Sequence, residues 1–204
     1  MRIIQYWGIS RHLSTSGGSY YVVPRLFDGG RTKGRIEELD ATDTLTELYT
    51  MTYFNSKLED EYQYALRYKN PLSLSLLNVD HLKEVNDSLG RRAVDAYLTA
   101  LANLIIKTIR KVDIAARYRG EEIAIIMPHT EGEHAVVQAE RIREKVSTLE
   151  VPFEEHIIRR TISIGVASLN LDAGMTEEGL IGTAGKALKE AIAEGQNRVV
   201  FKRG

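Results

Sequence analysis

Two residues three apart, Arg110 and Asp113 in Arg110-Lys111-Val112-Asp113, have the types and spacing to read a planar base. A guanidinium donates two parallel hydrogen bonds to the O6 and N7 edge of a guanine. A nearby carboxylate accepts from N1–H and the exocyclic amine, so the pair addresses guanine from two edges. The same spacing also describes an ordinary surface ion pair near a helix end, contributing only about 0.2–0.5 kcal/mol. The pair stands just ahead of a second group of polar residues. Four residues, Ile114 to Arg117, separate it from Tyr118-Arg119-Gly120-Glu121-Glu122, where two carboxylates stand on a tight turn. A hard cation takes such oxygens as ligands.

The elements that must position these residues alternate between strand and helix signals. Thr52 to Arg67 reads as a helix, stopped before Asn70-Pro71. Leu72, Leu74 and Leu76 alternate with Ser73 and Ser75 before Leu77 and Val79 turn the run apolar, the pattern of a strand entering a core. Val94, Leu98, Leu101, Ile105 and Ile109 mark one face of a long amphipathic helix that ends just ahead of the Arg–Asp pair. Ile114–Tyr118 and Ile123–Met127 are two strands joined as a hairpin by Arg119-Gly120-Glu121-Glu122. Glu131 to Leu149 is a charged helix, read as a solvated face apart from Arg141. Ile162, Ile164 and Val166 alternate as a strand, a helix through Leu188 and Ala191 ends at Gly195, and Val199-Val200-Phe201 closes the sheet. The expected fold class is α/β (α+β), a largely antiparallel central sheet flanked by helices.

Length and composition bound the function. The chain has 204 residues, 43% hydrophobic and 27% charged, enough for one well-packed domain plus a short appendage. Formal net charge is −1, so no global positive field draws it to nucleic acid or to an anionic membrane. There is no cysteine, which excludes disulfides and thiolate metal sites. No apolar run approaches the roughly 18 residues of a membrane span, and the first residues lack a secretory pattern. A cytoplasmic protein is expected. Residues 1–42 read as an arm, with loop signals at Ser14–Ser19 and Asp28–Gly30, a short strand at Tyr20-Tyr21-Val22-Val23, and a basic cluster of Arg31, Lys33 and Arg35. Residues 43–204 form the domain.

From Asp43 onward the chain resembles a GGDEF domain, the fold that joins two GTP into cyclic di-GMP. Asp43-Thr44-Leu45-Thr46-Glu47-Leu48 is similar to the opening signature D-x-L-T-G-L, with Glu for Gly. Asn78-Val79-Asp80-His81-Leu82-Lys83-Glu84-Val85-Asn86-Asp87 resembles D-x-D-x-F-K-x-x-N-D. Arg117-Tyr118-Arg119-Gly120-Glu121-Glu122-Ile123 stands where R-Y-G-G-[DE]-E-F belongs. Thr161–Ala167 and Gly195-Gln196-Asn197-Arg198 match the late strand and the G-R-N-R ending. The five pieces occur in the family's order.

The resemblance implies site residues and also marks departures. It places a guanine-reading pair at Asn86 and Asp95 and retains Lys83. A metal would be held by the residue at Asn78, where the family has Asp, and by Glu121. Arg119 replaces the first signature glycine, which lets the backbone approach the nucleotide. Ile192 and Gln196 stand where the family has a Lys and an Arg facing the triphosphate. Phosphoryl transfer depends on positioning and charge neutralisation, so Asn78, Lys83, Asn86, Asp95, Arg119, Gly120, Glu121 and Glu122 are read as a vestigial nucleotide site. No catalytic residue, no metal site and no cofactor is expected, Mg²⁺ included. The R-x-x-D motif matches the family's inhibitory site, and Arg141 takes the place of an arginine that completes it from the following helix.

The expected function is therefore a cyclic di-GMP receptor without catalytic activity, binding through Arg110, Asp113 and Arg141. It would signal through a protein partner, with residues 1–42 as the docking arm and ligand-linked dimerisation as one consequence. Two alternatives remain beside it: an interaction scaffold indifferent to nucleotides, and a weak cyclase or GTP sensor using Asn86, Asp95 and Glu121.

Overall fold

The computed structural model describes residues 41–203. The arm's short strand and basic cluster lie outside the described residues. In chain order the elements are β1 (Tyr49–Thr50), α1 (Met51–Tyr68), β2 (Leu72–Val79), α2 (Leu82–Leu89), α3 (Arg91–Thr108), β3 (Ile114–Arg119) and β4 (Glu122–Pro128). Then follow α4 (Gly132–Ser147), β5 (Val151–Phe153), β6 (His156–Ile158), β7 (Ile162–Ser168), α5 (Glu177–Ala193) and β8 (Val199–Arg203). Six strands make one sheet in the order β1-β3-β4-β2-β7-β8, and β5 and β6 form a separate small hairpin. The four central strands are antiparallel, while β1 and β8 add in parallel at the two edges. The fold is mixed α+β with a mostly antiparallel sheet, as expected.

Helices cover both faces of the sheet, and the strand sequences follow from that. On one face Leu77, Val79, Ile123, Ile125, Ile162 and Ile164 pack with α3 and α4 through Leu98, Leu101, Ile105, Ala139 and Ile142. On the other, Leu72, Leu74, Leu76, Ala124 and Ile126 pack with α1 and α5 through Phe54, Leu58, Leu180 and Leu188. Burial on both faces corrects one inference from alternation. Ser73 and Ser75 are as buried as the leucines between them, and the Ser73 hydroxyl donates to the Thr130 carbonyl at 2.8 Å. Buried hydroxyls need such partners. Gly165 in β7 lets α5 approach closely, because a Cβ there would stand 2.1 Å from the Leu188 nitrogen.

Four elements had no distinct sequence signal. β1 is two residues long and β5–β6 are three each, shorter than any period-2 pattern can mark. α2 is an eight-residue helix ended by Gly90 at φ +81°, which separates it from the long helix α3. Glycine adopts that backbone at little steric cost.

Candidate functional site

The β3–β4 hairpin turns at Gly120, whose φ of +55° is left-handed. Its geometry is held from outside by Arg117. One guanidinium nitrogen of Arg117 contacts both carboxylate oxygens of Asp43, at 3.1 and 3.2 Å, while its Nε donates to the Gly120 carbonyl at 2.8 Å. Asp43 also accepts from the Thr46 backbone N–H and hydroxyl, at 2.9 and 2.7 Å. Burial raises the Asp43 carboxyl, but these hydrogen bonds and the Arg117 charge outweigh it and hold the group below its ordinary value. The opening D-x-L-T segment is thus the clamp on the hairpin. Glu47, in the place of the signature glycine, sits at φ +59°.

The residues read from the sequence as a nucleotide site fall on the hairpin, at the end of β2, on α2 and on α3. Glu121 is exposed and Glu122 half-buried. The β2–β4 ladder ends at Leu77↔Ile123, so Asn78 and Glu122 follow at the facing ends of neighbouring strands. Lys83 and Asn86 are exposed on α2, and Asp95 is on α3, paired with Arg91 at 3.1 Å; the two helices pack together. Arg119 does not occupy a left-handed backbone, and its guanidinium lies over the Tyr118 ring, 5.1 Å from the centroid. The hairpin therefore tolerates arginine there: the left-handed residue is the next one. Ile192 and Gln196 lie at the end of α5 and in the turn after it.

Asp80 is a residue whose role sequence reasoning missed. It is buried and accepts from the Thr161 hydroxyl at 2.6 Å, the Ser163 hydroxyl at 2.7 Å and the Asn197 backbone N–H at 3.1 Å. One carboxylate thereby ties the end of β2 to β7 and to the turn carrying Gln196. The only sequence signal was an acidic residue just after a strand, quoted as part of the resemblance alone.

The second cluster forms where α3 ends and β3 begins. Asp113 is buried, its side chain 0% exposed, whereas the Arg110 side chain is 49% exposed. The Arg110 backbone N–H donates to Asp113 Oδ2 at 2.9 Å and the Gln138 amide donates to the same oxygen at 3.0 Å. The guanidinium stands with Nη2 3.2 Å from Asp113 Oδ1, within ion-pair reach but not aligned to donate, so Oδ1 has no hydrogen bond. The same Nη2 donates to the Thr130 hydroxyl. Arg141 donates to the Thr108 carbonyl at 2.8 Å, and Lys145 contacts the Thr108 hydroxyl at 3.3 Å. Arg110 and Asp113 are brought into direct contact, and Arg141 stands at the last turn of α3 just before them. The reading of α4 as a solvated face apart from Arg141 is corrected: Gln138 is buried and bonded to Asp113.

Residues 40–198 match the family described as "Diguanylate cyclase, GGDEF domain". The chain belongs to the GGDEF family. It is 35% identical over 170 residues to Diguanylate cyclase A of Treponema denticola, covering 81% of this chain and 45% of that relative. It superposes on the GGDEF domain of DgcB from Caulobacter crescentus, solved in complex with c-di-GMP, with TM-score 0.76 and 27% identity, covering 82% of this chain and 98% of that one. It is also similar to the diguanylate cyclase SiaD of Pseudomonas aeruginosa, solved with its activator SiaC, with TM-score 0.76 and 30% identity, over 80% and 63% of the two chains. The chain spans less than half the length of the curated relatives it matches.

These likenesses correct the expectation of a domain without activity. A relative 35% identical over 81% of the chain is named a diguanylate cyclase, and so is the family, which points to an enzyme. That expectation rested on the substitutions at Asn78, Arg119, Ile192 and Gln196. Arg119 leaves the hairpin turn intact, and the carboxylates of Glu121 and Glu122 remain on it. Among the described residues no helix is long and apolar enough to cross a membrane.

Proposed function

We propose that this domain belongs to a diguanylate cyclase, joining two GTP into cyclic di-GMP, and that it binds that product at Arg110, Asp113 and Arg141 as a regulatory ligand read by a protein partner. The observation that carries the regulatory half is the buried Asp113 carboxylate beside a half-exposed Arg110 guanidinium. An ordinary surface ion pair does not bury its carboxylate completely and hold it with two further donors. The similarity to a domain solved with c-di-GMP supports the same ligand.

For the catalytic half, the donor set at the hairpin fits a divalent cation with one charge fewer than the family pattern. Glu121, Glu122 and the Asn78 amide oxygen would hold the ion, and Mg²⁺ takes few protein ligands beside water and substrate phosphates. Among the described residues no cluster of three or more acidic or histidine side chains is already assembled for a metal. The cation would supply charge neutralisation at the reacting phosphate. The chain's own contribution is to orient the nucleotide: Asn86 and Asp95 toward the base, and Lys83 as a cation on α2. Asn78 weakens metal loading because an amide oxygen brings no charge.

Calorimetric titration with cyclic di-GMP tests the regulatory site. Binding by the wild type that Arg110→Ala abolishes is expected; equal binding by both proteins overturns the site assignment. Incubation with GTP and Mg²⁺ or Mn²⁺, followed by chromatography of the products, tests the catalytic half. Formation of cyclic di-GMP that Glu121→Gln abolishes is expected, and no product with either metal overturns it.

A further inference from the structure

We infer that Gln138 is the residue that gives the Arg–Asp site its preference for a base carrying an exocyclic amine, by fixing the rotation of the Asp113 carboxylate; the inference rests on cyclic di-GMP binding at this site. The starting observation is that the two oxygens of Asp113 are treated differently. Oδ2 accepts from the Arg110 backbone N–H at 2.9 Å and from the Gln138 amide at 3.0 Å. Oδ1 is buried and has no hydrogen bond. Leaving a buried carboxylate oxygen without a donor is unfavourable. It is explained if Oδ1 is the atom that accepts from the ligand.

Access to Oδ1 has a requirement. The carboxylate is fully covered, and the group beside Oδ1 is the Arg110 guanidinium, itself 49% exposed. A guanine reaches Oδ1 once that guanidinium swings outward to meet the O6 and N7 edge. The swing removes the side-chain contacts of Arg110 to Asp113, including the 3.5 Å approach of Nε to Oδ2. It also removes the contact to the Thr130 hydroxyl. What still holds the carboxylate is the Arg110 backbone N–H and the Gln138 amide. A backbone N–H alone leaves the carboxylate free to rotate about its bond to Cβ, and the Gln138 amide, arriving from α4, is the second point that stops it. Gln138 need not touch the ligand. It is a positioning residue, and it acts on specificity because Oδ1 faces the N1–H and the amine only in one rotation.

The probes are cyclic di-GMP and its inosine counterpart, which keeps O6, N7 and N1–H and lacks the exocyclic amine. Both are titrated into the wild type, Arg110→Ala and Gln138→Met, which keeps the side-chain length and loses the donor. Gln138→Asn, whose amide is too short to reach, serves should the methionine variant fold poorly. The wild type is expected to bind cyclic di-GMP about tenfold more tightly than the inosine compound. In Gln138→Met that ratio is expected to fall to about one, with Arg110→Ala binding neither. A ratio unchanged in the Gln138 variants overturns the inference, whether or not both affinities drop together, because a merely structural role weakens the two compounds alike. Binding of neither compound by the wild type, or equal binding by Arg110→Ala, overturns the regulatory site itself and the inference with it.

Discussion

The two clusters of this domain lie before and after the same strand, β3, and they are built by opposite means. At the Arg110–Asp113 site the acid is buried, held by donors from its own turn and from α4, and only the arginine faces solvent. At the hairpin Glu121 is exposed and Glu122 half-buried, and the carboxylates nearby, half-buried Asp43 and buried Asp80, are bound up in holding the backbone. In the first cluster the carboxylate is fixed before any ligand arrives, and only the guanidinium moves to admit one. The second is a well-braced turn whose proposed ligand-facing groups would be organised by metal and nucleotide. A preorganised site loses much from a single deletion, whereas a solvated one loses less and is easier to retune.

The largest effect expected on this contrast is from Arg110→Ala. Loss of a bidentate guanine contact should take cyclic di-GMP binding below detection, a loss of at least about 100-fold, while leaving GTP binding unchanged, as read by calorimetry with each nucleotide. A parallel fall in GTP affinity would break the separation of the two clusters.

Next comes the brace. Asp43→Asn removes the charge that Arg117 and Thr46 bind, and should cost about 2 kcal/mol in a denaturant melt near neutral pH. Asp43 is held below its ordinary pKa in the folded protein. Its stabilisation is therefore complete above the unfolded carboxylate range and is lost as pH falls through the lowered folded value. The stability gap between wild type and Asp43→Asn should accordingly close on acidification. A gap that is constant from neutral pH down to the acid transition would rule out the clamp as drawn.

A smaller effect is expected at the metal ligands. Asn78→Asp restores an anionic oxygen, and the Mg²⁺ concentration for half-maximal turnover should fall by about tenfold. No change would place Asn78 outside the cation's reach. The smallest effect is at Glu47, whose φ of +59° lies in the region that favours glycine. Glu47→Gly should stabilise the domain by about 1 kcal/mol in the same denaturant melt, since the left-handed backbone is strained for other residues. Destabilisation would show that the Glu47 side chain contributes more than its backbone costs.

What was legible in the sequence follows the same division. The hairpin, the long helices and the mostly antiparallel sheet could be read because periodicity and a tight Gly turn are local signals, carried within ten or so residues. The Arg110–Asp113 contact was legible for the same reason, being three residues long. Gln138 and Thr130 were not: they reach Asp113 and Arg110 across 25 and 20 positions. Gln138 lies on a helix whose neighbours Glu133, His134 and Val137 face solvent, so polarity alone suggested that it did too. Asp80 was hidden because an acidic residue just after an apolar strand carries no local sign of burial. Its three partners lie on β7 and in the C-terminal turn, 81 to 117 positions away. At Arg119 the sequence shows that a glycine is missing, but not that the left-handed φ of the turn falls on the next residue, Gly120.

The central claim is that cyclic di-GMP binds at a site separate from the one that takes GTP. Its most direct test is a titration of cyclic di-GMP into the wild-type protein, first alone and then with a non-hydrolysable GTP analogue and Mg²⁺ at saturating concentration. Binding in both cases, with the analogue neither displaced nor competing, is the predicted result. A cyclic di-GMP affinity that falls in proportion to the analogue's concentration would place both ligands in one pocket and contradict the account.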